Sequence, residues 1–224
     1  MNRALQTLAV VVFVALMGLV ISRWRINGLS SLGWVALAIA ISLIRAPYSR
    51  RTQHNTITSK REVTRERILL MLVMLGGTFI PLLHLSTNLL HAANYTLPAW
   101  TFYAGIAMAL PGLWLFYRSH ADLGDNWSVT TELREGQTLV TNGVYARCRH
   151  PMYAALFLLF LPQVVFVQNW IAGPIGPVIY LVLYLIRVPY EEAMMRDAFG
   201  TEYDDYVRRT GRVWPRLSAA STAP

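Results

Sequence analysis

The sequence predicts an all-α integral membrane protein of about six transmembrane helices, five being the next count, with a cytoplasmic cap formed by a short strap and a C-terminal helix. Three observations lead there. Of 224 residues, 54% are hydrophobic and only 14% charged, where soluble domains carry nearer a quarter of charged residues. Apolar runs long enough for a hydrocarbon core of about 30 Å recur along the chain. The basic residues alternate with those runs instead of forming one stripe, so the net charge of +8 points to a membrane surface and not to nucleic acid.

Six segments qualify as spans: residues 4–22, 30–46, 67–90, 97–117, 151–168 and 171–189. The first resembles a secretory signal, "MNRALQTLAVVVFVALMGLV", but no small-x-small cleavage pattern follows before "SRWR", so it is read as a span. The second and fifth are the weakest, one being short and the other interrupted by Pro162; the alternative for either is half of a tight helical hairpin that does not fully cross. Loop charge gives an independent check. With six spans, every Lys and Arg except Arg23 and Arg25, and all 12 acidic residues, fall on one side, which the positive-inside bias makes cytoplasmic. The opposite loops, "NLLHAANYTLP" and "VQNWIAGP", are uncharged. The organisation expected is residues 1–96, N-terminal helices with a basic loop, and residues 97–224, a core carrying the chemistry.

The single cysteine makes no internal disulfide, and no Cys or His spacing offers a metal site. Residues 47–66 show no apolar period and read as a solvated loop touching anionic headgroups. Residues 118–150 differ: "LGDNWSV" is a turn-rich link, and "TELREGQTLVTNGVY" has two short alternating pieces around Glu135 and Gly136, predicting a small hairpin or strap. After the last span, Ala193, Met194, Ala198, Phe199, Tyr203 and Tyr206 make one helical face, interrupted at Gly200, that folds back over the cytoplasmic mouth.

Chemistry gathers where the strap meets the fifth span. Arg147, Arg149 and His150 precede Pro151, which suits the first turn of a helix. The free amides of that turn, its dipole and two guanidinium groups make a site for a carboxylate or phosphate. Tyr153 lies one turn in, near His150. Arg187 and Glu191 fall at the spacing of four if the last helix continues through Pro189, with Glu192 beside them. Ionisable groups at this depth read by default as a functional site, although singly each is also an interfacial anchor or ion pair. Cys148, between two arginines, has no accompanying acyl or phosphoryl machinery. His84 and His91 read as polar contacts within the third span, and Asp122 and Asp125 as groups that tie down a loop.

The joint order of "LGDNWS", "LVTNGVYARCRHPMY" and "RVPYEEAMMRDAFGTEYDDYVRRTGRVWP" across residues 123–215 resembles the isoprenylcysteine carboxyl methyltransferase family and its phospholipid methyltransferase relatives. Gly143, Tyr145, Arg149, His150, Pro151, Tyr153, Glu191, Glu192, Phe199, Gly200, Tyr203, Tyr206 and Pro215 stand where that pattern wants them; Ala155 replaces a frequent glycine. The resemblance implies an S-adenosyl-L-methionine-dependent methyltransferase, its cofactor held between the last two spans and the cap. Gln137, Thr138, Leu139, Val140 and Tyr145 would clasp the adenosine. Arg149, His150, Pro151 and the helix start, with Met152 and Tyr153, would hold the methionine end, and Glu191 or Glu192 the ammonium or ribose. Arg187, Glu191 and Arg149 are the catalytic candidates, Arg187 being expected to pair with an acceptor carboxylate. The expected acceptor is a lipophilic or prenylated molecule entering from the bilayer, among membrane lipids, with no nucleic acid and no obligate protein partner evident, in a prokaryotic plasma membrane. Two other readings are an NADPH-dependent sterol-reductase-like enzyme and a non-catalytic lipid-binding protein.

Overall fold

The structure is a computed structural model that describes residues 3–51, 57–60, 63–127, 132–134 and 138–216. Each predicted apolar segment is helical, but with its own bounds. Helix α1 is Arg3–Ser22, a short α2 (Trp24–Asn27) turns the chain, and α3 is Leu29–Arg51. Strand β1 (Ile57–Lys60) precedes α4 (Val63–Met74), which passes through a π turn, Leu75–Phe79, into α5 (Ile80–Thr87). Helix α6 is Trp100–Leu123, and strand β2 is Glu132–Arg134. Helices α7 (Pro151–Phe160) and α8 (Pro162–Val167) meet at Leu161, and α9 (Ile175–Phe199) is followed by α10 (Thr201–Arg209).

By length and composition, Leu29–Ser49 and Thr64–Thr87 are able to cross a membrane. The bundle's outer surface has the same character. Val14, Leu43, Met71, Leu110 and Leu185 are each at least 60% exposed, a pattern that water does not tolerate over a continuous belt but hydrocarbon does. Exposed aromatic residues include Trp100 at the start of α6 and Trp170 just beyond α8, positions that suit interfacial anchors. The protein is an integral membrane protein.

The helices approach closely where small residues replace large ones. A side chain at Gly105 would meet Phe166, and one at Gly112 would meet Leu158 and Leu159, so α7 and α8 lie against α6 along small positions, as lipid-embedded helices prefer. Pro162 does split the fifth segment. The π turn has a cause of the same kind: Gly76 faces Ile175 and Ile179, Gly77 faces Phe160, and the widened turn leaves a carbonyl out of the regular ladder. Gln163, 3% exposed, donates from Nε2 to Gly76 O at 3.0 Å and Ala172 O at 2.8 Å. Replacing Gln163 with leucine is therefore expected to lower stability by about 1–3 kcal/mol, the cost of unsatisfied buried polar groups, measured by thermal unfolding in detergent.

Three sequence expectations change. The third segment stops as a helix at Thr87, with Asn88 left-handed at φ 61°, so His84 is in α5 while His91 lies in a separate 3-10 turn. The segment 47–66 is not simply a loop, because α3 runs to Arg51 through Pro47 and Ile57–Lys60 is a strand. The described strand of the strap finds its partner outside it: Glu132–Arg134 is antiparallel to Ile57–Lys60. An extended edge needs backbone partners, and alternation alone does not say which segment supplies them. The turn at Glu135 and Gly136 lies outside the described residues. The interruption at Gly200 is found as expected, since α9 ends at Phe199 with Gly200 at φ 53° and α10 follows directly.

Candidate active site

The link after α6 is built around Asp122. Gly124, at φ 51°, ends the helix. Asp122 then accepts from Arg118 at 2.8 Å through Oδ1 and from the Val144 amide at 2.8 Å through Oδ2, tying the helix to the turn that opens at Gly143. Asp122 thus ties down a loop as expected; the Asp125 side chain lies outside the described residues. Asn126 and Thr138 bond reciprocally, side chain to side chain at 3.3 Å and Thr138 amide to Asn126 Oδ1 at 3.2 Å. Thr138, Leu139 and Val140 are thereby held over the end of the bundle.

The C-terminal segment zips onto the loop before α7. Cys148 bridges Gly211 in parallel, Arg149 N donates to Gly211 O at 2.8 Å, and His150 N donates to Arg212 O at 2.9 Å. The Tyr206 hydroxyl, at the end of α10, donates to Tyr145 O at 2.7 Å. Burial pushes the Tyr203 phenol up to about 12 and raises Tyr206 as well, so both remain neutral packing groups. Burial also pushes the Cys148 thiol up, against the His150 amide and the Arg149 charge. Its Sγ lies 3.3 Å from Arg212 O and 3.2 Å from Val213 O. The flanking arginines do not turn Cys148 into a thiolate nucleophile.

Glu192 and Glu191 face different ways. Glu192, 2% exposed, accepts from Arg149 Nε at 3.2 Å, lies 3.3 Å from His150 Nε2 and accepts from Arg212 Nη2 at 2.7 Å. Arg149 also donates to Thr210 O at 2.6 Å and Val207 O at 3.2 Å. This knot locks the cap to α7 and α9. It lies beyond the predicted end of the sixth span at residue 189; burial favours the neutral acid, but the bonds from His150 and Arg212 outweigh it and hold Glu192 well below the usual carboxylate range. Glu191 instead accepts from Arg187 Nε at 2.8 Å and from the Tyr153 hydroxyl at 2.8 Å. Arg187 also pairs with Glu66 at 3.3 Å, a partner from α4 that the sequence reading did not single out. The His150 and Tyr153 rings meet edge-on at 5.5 Å, as the spacing predicted.

These walls enclose a chamber of about 730 Å³, within the range of small-molecule sites. Of the sequence candidates, Thr138, Leu139, Val140, Tyr145, Arg149, His150, Met152, Tyr153, Arg187 and Glu191 line it. Pro151 is buried behind it at the start of α7, Glu192 holds the cap outside it, and Gln137 is outside the described residues. The chamber reaches further than the motif does. Trp34, Leu37, Ile41, Gly77, Leu159 and Phe160 carry it as an apolar bore into the helix bundle, and Arg45, His120 and Trp127 form one corner of its polar end. Of these, Trp34, Leu37, Ile41 and Arg45 lie on α3 and Gly77 in the π turn, outside the segments that carry the motif; Arg45 and His120 read in the sequence only as polar residues at the end of an apolar run. Ala155, in place of glycine, is fully buried.

Comparison with known proteins agrees in location and in fold. The phospholipid methyltransferase family profile matches residues 100–202. The rat protein-S-isoprenylcysteine O-methyltransferase is 34% identical over 112 residues, 49% of this chain and 39% of that protein. A probable counterpart in Oryza sativa subsp. indica is 30% identical over 113 residues, 48% of this chain and 57% of that one. A cobalt-zinc-cadmium resistance protein of Cupriavidus metallidurans is 32% identical over 85 residues, 38% of this chain and 39% of its own. The matches thus span about two-fifths to three-fifths of these relatives. A solved structure of a eukaryotic intramembrane Ras methyltransferase, isoprenylcysteine carboxyl methyltransferase, superposes with TM-score 0.54 at 20% identity, covering 96% of this chain and 87% of that one. The matched segment contains the Arg149, His150, Tyr153, Arg187 and Glu191 side of the chamber, and over it the chain resembles the isoprenylcysteine O-methyltransferases and carries the phospholipid methyltransferase pattern.

Proposed function

We propose that the protein is an S-adenosyl-L-methionine-dependent methyltransferase acting on a lipophilic acceptor, most simply the carboxyl group of an isoprenylcysteine-like molecule. The observation that carries this reading is the chamber's continuity: one end is ionic, with Arg187, Glu191 and His150, and the other is an apolar bore opening among the helices. A lipid tail fits the bore and its polar head reaches the charged wall. The residues also suit the cofactor, whose adenosine needs apolar walls with a few hydrogen bonds and whose methionine end carries both charges. Thr138, Leu139, Val140 and Tyr145 would take the adenosine; His150, Met152 and Tyr153 the methionine side; Glu191 the ammonium. Arg149 and Glu192 would act by holding the cap and His150 in place. When bound, S-adenosyl-L-methionine supplies an electrophilic methyl group.

The chain's own residues mainly position. A carboxylate acceptor brings no proton that must leave, so no general base is required, and alignment with electrostatic complementarity does most of the work. Arg187, braced between Glu66 and Glu191, would fix the ionic wall beside the reacting centre and hold Glu191 in place. The cap excludes water from above. Residues 97–224 form the catalytic core in this reading, the charged end faces the cytoplasm of a prokaryotic cell, and the bundle crosses the membrane six times.

Calorimetry of S-adenosylhomocysteine binding in detergent tests the reading. The wild type is expected to bind at micromolar Kd, and His150→Ala and Glu191→Ala to weaken binding by about tenfold to a hundredfold, the equivalent of one or two charge-assisted bonds. A folded wild type that binds NADPH and not S-adenosylhomocysteine would replace it with the reductase reading.

A further inference from the structure

The charges on the chamber wall are almost all balanced. Arg187 is shared by Glu66 and Glu191, and Arg149 is paired with Glu192. Arg45, on α3, is the exception. Its guanidinium lies 5.7 Å from the centre of the Trp127 ring and lines the chamber, and among the described residues no carboxylate lies within ion-pair reach of it. A cation facing a partly enclosed chamber without an opposite charge is costly unless a ligand supplies one.

A second group in the same corner also lacks a partner. His120 is fully buried and packs against the same link, its ring centre 4.8 Å from that of Trp127 and 5.0 Å from that of Tyr48. Its Nδ1 is 2.8 Å from the Phe116 carbonyl, which only accepts, so Nδ1 carries the proton and Nε2 is left as an acceptor. That Nε2 has no hydrogen-bond partner, and the residue lines the chamber. The corner thus offers one positive charge and one acceptor, both beside the Trp127 indole. It suits a ligand that brings an anion next to an N–H, which is the chemistry of a carboxylate beside an acylated amine.

We infer that Arg45, with His120 beside it, is the subsite that selects an acceptor bearing a free carboxylate, the guanidinium taking the carboxylate and His120 Nε2 accepting from the neighbouring N–H. This rests on the methyltransferase reading and adds to it a specificity element on α3, outside the segment that matches the family. Arg187 is a poorer partner for the same group, because a third carboxylate there competes with Glu66 and Glu191. A charge-assisted bond to an unpaired guanidinium meets no such competition.

The test is competitive binding of N-acetyl-S-farnesyl-L-cysteine and of its carboxamide to the full-length protein with S-adenosylhomocysteine bound, in the wild type, Arg45→Gln, Arg45→Lys and Arg187→Gln. The expected result is that the wild type prefers the acid by about tenfold or more, the weight of one charge-assisted hydrogen bond. Arg45→Gln loses this preference with the carboxamide bound as before, and Arg45→Lys restores part of it. Equal binding of acid and amide by the wild type would overturn the inference. So would a preference that survives in Arg45→Gln and disappears in Arg187→Gln, or an Arg45→Gln variant that loses S-adenosylhomocysteine affinity and keeps the acid preference, which would assign Arg45 to the cofactor. Binding of S-adenosylhomocysteine by the same samples reports separately on the methyltransferase reading.

Discussion

Glu192→Ala is expected to destabilise the protein by about 3–5 kcal/mol, the cost of removing one partner from a buried ionic knot, and to abolish S-adenosylhomocysteine binding with it. The carboxylate serves Arg149, His150 and Arg212 at once. Two of these residues also carry the backbone bonds that dock the C-terminal segment, Arg149 N to Gly211 and His150 N to Arg212 O. Without Glu192, the Arg149 guanidinium, whose side chain is 9% exposed, has no counter-charge, and the segment after α10 loses the Arg212 side-chain bond that helps hold it to α9. Thermal unfolding in detergent measures the loss. Glu192→Gln, which keeps the shape and an acceptor, should cost less, and the difference between the two variants separates charge from packing.

The same residue sets an acid limit. A carboxylate held below its ordinary value of 4.5 contributes stability that is present above that value and lost as pH falls through the depressed folded value. The wild type should therefore lose stability as pH is lowered below about 4.5, and Glu192→Gln should show a flatter profile over that interval. Parallel profiles for the two proteins would assign the acid sensitivity to other carboxylates.

Gly143→Ala is expected to be the second most damaging single change, and Gly200→Ala is its control. Both glycines have positive φ, 55° and 53°, where an L side chain is strained. At Gly200 an added Cβ meets nothing within 4 Å, whereas at Gly143 it would overlap the Asp122 carboxylate. Moving Asp122 breaks its bond to the Val144 amide and its pairing with Arg118. Gly143→Ala should thus cost about 1–3 kcal/mol more than Gly200→Ala, the cost of losing partners for a partly buried carboxylate, and should weaken S-adenosylhomocysteine binding, because Thr138, Leu139 and Val140 hang from the same link. Equal losses in the two variants would mean that Asp122 moves aside freely.

Much of the site was readable because its residues are close in sequence or carried by one helix. His150, Pro151 and Tyr153 are neighbours at a helix start, and Arg187 and Glu191 are four apart on one. The resemblance added the order in which the pieces come. Other features depended on segments far apart in the chain. Glu66 meets Arg187 from 121 positions earlier in the chain, Arg212 reaches Glu192 from beyond α10, and β2 finds its partner in a segment that reads as a polar loop. None of these pairings leaves a periodic trace, because complementary charge and an unpaired strand edge specify the kind of partner and not its address.

The division of labour between Glu191 and Glu192 shows the same boundary. As adjacent residues on a helix they must point about 100° apart, so the sequence alone implied that they do different things. It did not say which faces the chamber; the packing of α7, α9 and the C-terminal segment decided that by burying Glu192 between two guanidinium groups and His150 and leaving Glu191 on the wall. Arg45 and His120 are the clearest case. Each is one polar residue near the end of an apolar helix, indistinguishable in sequence from an interfacial anchor, and only the crossing of α3 and α6 over Trp127 puts them in one corner. By itself the sequence determined the membrane as solvent, the helical segments, and the local chemistry of the motif, since hydropathy, proline, glycine and short spacing act over a few residues. Which charges are satisfied and which remain open to a ligand was decided by tertiary structure, because that balance sums contacts over the whole chain.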